Sequence, residues 1–239
     1  MKAERRHELQ QNSLVRNVRN FPELWRAYGS KIMLGLILVV LAIVLVRMWI
    51  NKRAESRRQM AEELTAARAA FETLRRASEF PQMQPGMRPD LETFRPMPAE
   101  QVAEQRRRTW SRVDAAVNNV LQNSSDAAQL AEAKLLQADT NYHFGLLAEL
   151  GKNNGANKPR GIDNSPEEYF NRAAQNYDEV IAQAASIQPR QLAAARLGRA
   201  AIHENRREFT QARAIYETIQ REGPDEVSRV QAASRLRYL

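Results

Sequence analysis

Residues 131–138, AEAKLLQA, return as residues 193–200, AAARLGRA, and a shorter echo follows as Ala232-x-Ser234-Arg235-Leu236. A second pattern recurs alongside the first. Phe170, Ala173, Tyr177 and Val180 step by three, four and three, as do Phe209, Ala212, Tyr216 and Ile219. Phe170 to Phe209 is 39 residues, and Leu197 to Leu236 is also 39. Trp110, Val113, Val117 and Val120 show the same steps. Such steps line one face of an α-helix. Any amphipathic helix shows them, but matching residue types at a shared offset indicate a repeat. Small alanines let two helices of a pair approach closely, and aromatic side chains fill the gaps between pairs. One pair cannot bury its apolar face alone, so neighbouring pairs must stack. This predicts an all-α chain with a helical-hairpin repeat over residues 99–239. The two alanine motifs are 62 apart rather than 39, because the polar stretch 151–165 lengthens the first pair.

Outside the repeat, residues 32–50 read IMLGLILVVLAIVLVRMWI, with Arg47 as the single charge. At 1.5 Å per residue this helix covers roughly 28 Å, close to the ~30 Å of a hydrocarbon core. Thirteen of the nineteen residues are Ile, Leu or Val, each favouring insertion by up to about 0.3–0.6 kcal/mol. Arg47 opposes them by at most about 3 kcal/mol, and by less near the end, where it can snorkel. The balance predicts a transmembrane helix. Trp25 and Tyr28 before it and Trp49 at its end suit the headgroup zones. Thirty-one residues precede the apolar core and basic residues follow it, unlike a cleaved signal peptide. Basic residues flank both ends: Arg16, Arg19, Arg26 and Lys31 before, and Lys52, Arg53, Arg57, Arg58 and Arg68 after. Charge alone therefore sets no orientation.

The remaining segments are a basic tail (1–31), a membrane-proximal helix (51–79) and a Pro-rich linker (80–98). In 51–79, Met60, Leu64, Ala67, Phe71 and Leu74 form one stripe, too short for a coiled coil and read as a face for a neighbouring helix. The linker holds Pro81, Pro85, Pro89, Pro96 and Pro98, half of the chain's prolines, and each removes a backbone donor. Helices are expected over about 99–123 and to about Leu150, with an N-cap among Ser124–Asp126 and Gly151 as terminator. Ser165-Pro166-Glu167-Glu168 reads as a capping box, and Pro189 and Gly223-Pro224 mark later breaks.

Composition excludes several chemistries. The chain has 239 residues and no cysteine, so disulfides and thiolate sites are excluded, and its three histidines are few for a ligand cluster. His203-Glu204 lacks the second histidine of a metalloprotease motif, and no phosphate-binding or nucleophile-elbow frame occurs. No enzyme activity, cofactor or metal is expected. The net charge is +8, but residues 1–50 carry +5 of it, leaving only +3 on 51–239. A nucleic-acid-binding domain concentrates positive charge on its soluble part, so no nucleic-acid partner is expected.

Residues 194–224, AARLGRAAIHENRREFTQARAIYETIQREGP, resemble a tetratricopeptide repeat: Ala200, Phe209, Ala212, Tyr216 and Pro224 fall on the family's signature steps. Arg207 stands where the family often has Gly. The N-terminal MKAERRHELQQNSL, the single anchor and the degenerate repeats together resemble a narrower group. These are bacterial membrane-anchored tetratricopeptide-like proteins related to the ancillary subunit of the SecYEG translocon. That resemblance implies an inner-membrane protein whose C-terminal domain lies outside the cytoplasm and meets the secretion translocon or periplasmic chaperones. It also implies a concave surface lined by the first helix of each pair, with Asp139, Tyr142, His143, Ala201, Glu204 and Asn205 as partner-binding positions. The rival expectation is a structural, self-assembling membrane protein.

Overall fold

The computed structural model describes residues 2–79, 99–153 and 164–239. Among these, all regular structure is helical: α1 (Lys2–Glu79), α2 (Ala99–Asn123), α3 (Ala127–Asn153), α4 (Pro166–Ala182), α5 (Pro189–Asn205), α6 (Phe209–Glu222) and α7 (Glu226–Leu236). The Pro-rich linker 80–98 and most of the polar stretch 151–165 lie outside the described residues. Two compact units are present, one ending at Ser56 and the other Arg57–Leu239. The stripe-bearing part of the membrane-proximal segment is thus grouped with the helices of 99–239.

In the first unit, the large apolar side chains described from Met33 to Ile50 are 49 to 64 % exposed. Over this stretch the described Leu, Ile and Val side chains face outward on every side of the helix. This helix is long and apolar enough to cross a membrane.

The second unit is built on stripes. Met60, Leu64, Ala67 and Phe71 of α1 pack with Val113, Ala116, Val117 and Val120 of α2 and with Ala133 and Leu136 of α3. Ala131, Leu135 and Ala138 of α3 meet Ala173, Tyr177 and Val180 of α4 and Ala195 and Ile202 of α5. Ala200, Ala212, Tyr216, Ile219 and Ala232 join α5, α6 and α7. From α2 onward each helix packs on the next, and α3 also touches α5, as α5 touches α7. The alanines permit these contacts: Ala131, Ala133, Ala138, Ala195 and Ala200 are fully buried.

Gly198 shows how tight the packing is. A Cβ there would overlap the Tyr177 ring, so only glycine lets that ring pass between α3 and α5. The two aromatic patterns agree at Tyr177 and Tyr216, each 1 % exposed, but diverge at their first member. Phe170 is 5 % exposed and Phe209 is 49 % exposed. Phe170 rests on Tyr142 and beside Gly145, on a helix that continues to Asn153. Its counterpart α5 stops at Asn205 and provides no such bed.

Helix ends follow local chemistry. Asp126 Oδ1 accepts the Ala128 amide at 2.9 Å, capping α3. Ser165 and Glu168 close the expected capping box at α4, and Asp225 Oδ1 accepts the Ser228 amide at 2.8 Å at α7. Such a cap contributes about 1 kcal/mol. Gly151 does not end α3, which continues to Asn153: a helical glycine costs only about 1 kcal/mol against alanine and does not by itself break a helix. At the end of α5, Arg207 N–H donates to Glu204 O and Glu208 N–H to His203 O, each at 2.9 Å. This is a Schellman closure. It requires the left-handed backbone that Arg207 adopts, with φ of 59°, at a position where glycine would be unstrained.

Candidate partner-binding surface

Three helices converge on an open cleft of about 350 Å³. From α1 come Arg68, Phe71 and Glu72, from α3 Glu132, Leu135 and Asp139, and from the start of α5 Arg190, Gln191 and Ala194. The α1 and α3 walls are tied by an Arg68–Glu132 ion pair at 2.6 Å. Gln191 fastens the third wall, donating from Nε2 to the Ala128 carbonyl at 2.8 Å. The rim thus mixes charge of both signs with amide groups over an apolar floor of Phe71 and Leu135.

Asp139 is the one sequence-expected residue that lines this cleft. Its Oδ1 accepts a hydrogen bond from the Tyr177 hydroxyl at 2.6 Å. Burial pushes the Asp139 carboxyl above the usual aspartate range, against the opposing pull of that hydrogen bond. Burial also raises the Tyr177 hydroxyl well above its ordinary value, helped by the neighbouring Asp139 charge. The pair fastens α4 to the cleft wall.

Tyr142 and Glu204 form a second grouping, farther along α3 and α5. Tyr142 is half-buried, its ring 5.8 Å from that of Phe170. Burial raises its hydroxyl pKa, with the Arg235 charge opposing and the Glu204 charge assisting. Glu204 accepts from Arg235 at 3.4 Å and hydrogen-bonds Tyr216. Burial first, and Glu204 second, push the Tyr216 hydroxyl up. These groups link α3, α5, α6 and α7. Ala201 and Asn205 are half-buried on α5 nearby in sequence, and the buried Asn205 amide nitrogen has no hydrogen-bond partner among the described residues.

His143 must be taken out of the contact set. It is 7 % exposed and packs edge-on against Phe71, 5.7 Å away, and against Phe144. Burial lowers its pKa from 6.5 to about 4, assisted by Arg75 and Arg106. The ring is therefore neutral at pH 7 and serves the core. Phe71, more than seventy residues earlier in the chain, covers the surface that the repeat offset left open.

Sequence reasoning missed Arg68, Glu132, Gln191 and Ala194. The stripe on 51–79 was their available signal: a helix with one buried face presents its flanks beside α3. Among the described residues no group of three His, Asp or Glu side chains could hold a metal ion. Comparison with family models, with curated proteins and with solved structures gave no match.

Proposed function

We propose that this chain is a single-pass membrane protein whose second unit is a tetratricopeptide-like array acting as a scaffold for protein partners. The observation that carries the reading is the cleft on α1, α3 and α5. Alternate helices of the series line it, as the first helices of a stacked-pair array line its concave face. Its mixed charges and amides suit a polypeptide rather than a metal or a small cofactor, and the work done is binding rather than catalysis. The anchor would hold the cleft near membrane-bound partners and raise their effective concentration. The sequence resemblance supports an extracytoplasmic unit that meets the secretion translocon or periplasmic chaperones.

A second reading, self-assembly, is favoured by α7. Val227 and Val230 there are 76 % and 59 % exposed, and Tyr238 just beyond is 87 % exposed. One experiment separates the two readings. A photo-cross-linker at Ala194, an exposed cleft residue, is activated in native membranes. Adducts with secretion components or chaperones support the scaffold. Adducts with a second copy alone support self-assembly, and no adduct from a folded, inserted chain refutes the cleft.

A further inference from the structure

We propose that Arg47, Lys52 and Arg53 form a cationic collar at the end of the apolar helix that binds the phosphates of anionic lipid headgroups. The inference rests on the spanning reading and adds the lipid class that the anchor selects.

All three side chains are exposed. Among the described residues none of them forms an ion pair, and Glu55 is the only acid between residues 31 and 61. In the second unit, by contrast, many arginines meet carboxylates: Arg68 with Glu132, Arg199 with Asp178, Arg206 with Glu167. Among the described residues the collar cations lack that compensation.

Helical geometry spreads them. Taking Arg47 as zero, Lys52 lies at about 140° and Arg53 at about 240° around the axis, so the three point to different sides. Along the axis they span about 9 Å, roughly the depth over which headgroup phosphates and snorkelling side chains meet. A single partner helix would engage one side. A ring of lipids engages all of them. Trp49 holds one member in place, with the Arg53 guanidinium 3.8 Å from its ring centroid. That stacking fixes the guanidinium beside an aromatic of the kind that sits at headgroup level, with its N–H edges free for phosphate oxygens.

The test uses the full chain reconstituted in phosphatidylcholine bilayers. Trace phosphatidylglycerol or phosphatidylcholine, spin-labelled on the acyl chain, is added, and electron paramagnetic resonance measures the motionally restricted fraction at the protein. Phosphatidylglycerol is expected to associate several-fold more strongly at low salt, with each cation near the surface contributing up to a factor of roughly five. The preference is expected to shrink in concentrated salt and to vanish in the variant Arg47→Gln, Lys52→Gln, Arg53→Gln. Equal association of both lipids with the unmodified chain overturns the collar alone, as does a preference that the triple variant retains. Absence of a restricted population for either lipid overturns the spanning reading and the collar with it.

Discussion

Two stretches of α1 carry their apolar residues to opposite ends. From Met33 to Ile50 they surround the helix and are all exposed. From Met60 to Leu74 the large ones occupy one stripe with Ala67, and Met60, Leu64, Ala67, Phe71 and Leu74 are all buried at 5 % exposure or less. A one-sided stripe is satisfied by neighbouring helices of the same chain. An all-round apolar surface requires an apolar surrounding, because leaving each side chain in water forgoes about 25 cal/mol per Å². Both the density of the apolar residues and their arrangement around the axis separate a candidate span from a packing helix.

The largest expected effect breaks the exposed stretch. Replacing Leu38 and Leu41 by Asp places two charges near the middle of the apolar run, each opposing insertion by about 2.5–3.5 kcal/mol. Alkaline carbonate should then extract a chain that is otherwise retained in membranes. The melting of the second unit should be unchanged. Retention of the doubly charged chain would mean that this stretch is not the anchor.

Next is Phe71→Ala, which leaves the apolar run intact and opens the core under α2 and α3. Truncating a buried aromatic costs roughly 3–5 kcal/mol. Near-ultraviolet circular dichroism of the reconstituted chain should show a large fall in the unfolding midpoint with membrane retention unaltered. Leu41→Ala should do neither, and a comparable fall from that change would erase the distinction between the two stretches.

The third effect is a pH dependence confined to the stripe. His143 sits on Phe71 with its folded pKa lowered to about 4 from 6.5. Above pH 6.5 the imidazole is neutral in both states and the stability is fully present. As pH falls from 6.5 toward 4, the unfolded chain binds a proton that the folded one refuses, and up to about 3 kcal/mol is lost. Urea midpoints measured across this window should fall with pH in the unmodified chain and flatten in His143→Leu. A profile that is the same in both would place the titration elsewhere. Membrane retention should not follow this curve.

The smallest effect sharpens the edge of the stripe. Arg68 and Glu132 pair at 2.6 Å, with side chains 41 % and 34 % exposed. Solvent-screened pairs of this kind contribute about 0–1 kcal/mol. Arg68→Met should therefore shift the urea midpoint only slightly, and a loss approaching that of Phe71→Ala would show that the pair, not the apolar face, holds α1 to α3.

Much of this arrangement was legible in residue order. The five stripe positions of 51–79 are the five buried ones among the described side chains there, and Phe170, Ala173, Tyr177 and Val180 are buried as their spacing predicts. Ser165 and Asp126 cap where their side chains can reach an amide two or three residues on. These signals are local: a helical period and a cap are decided within one or two turns, so neighbours in sequence suffice to set them.

Contacts between distant segments were decided only by the tertiary structure. Asp139 and His143 are one helical turn apart on α3, yet Asp139 lines the cleft while Phe71 closes over His143. Tyr177 and Tyr216 share a repeat position, but one hydroxyl meets Asp139 and the other Glu204. Arg207 takes a left-handed backbone because the helix it follows must be closed before α6 begins. The sequence by itself determined the helices, their apolar faces and the exposed apolar run, since periodicity carries that information. Which face meets which, and therefore which polar side chain lines the cleft and which is buried, depended on packing between residues tens of positions apart, where no local pattern reaches.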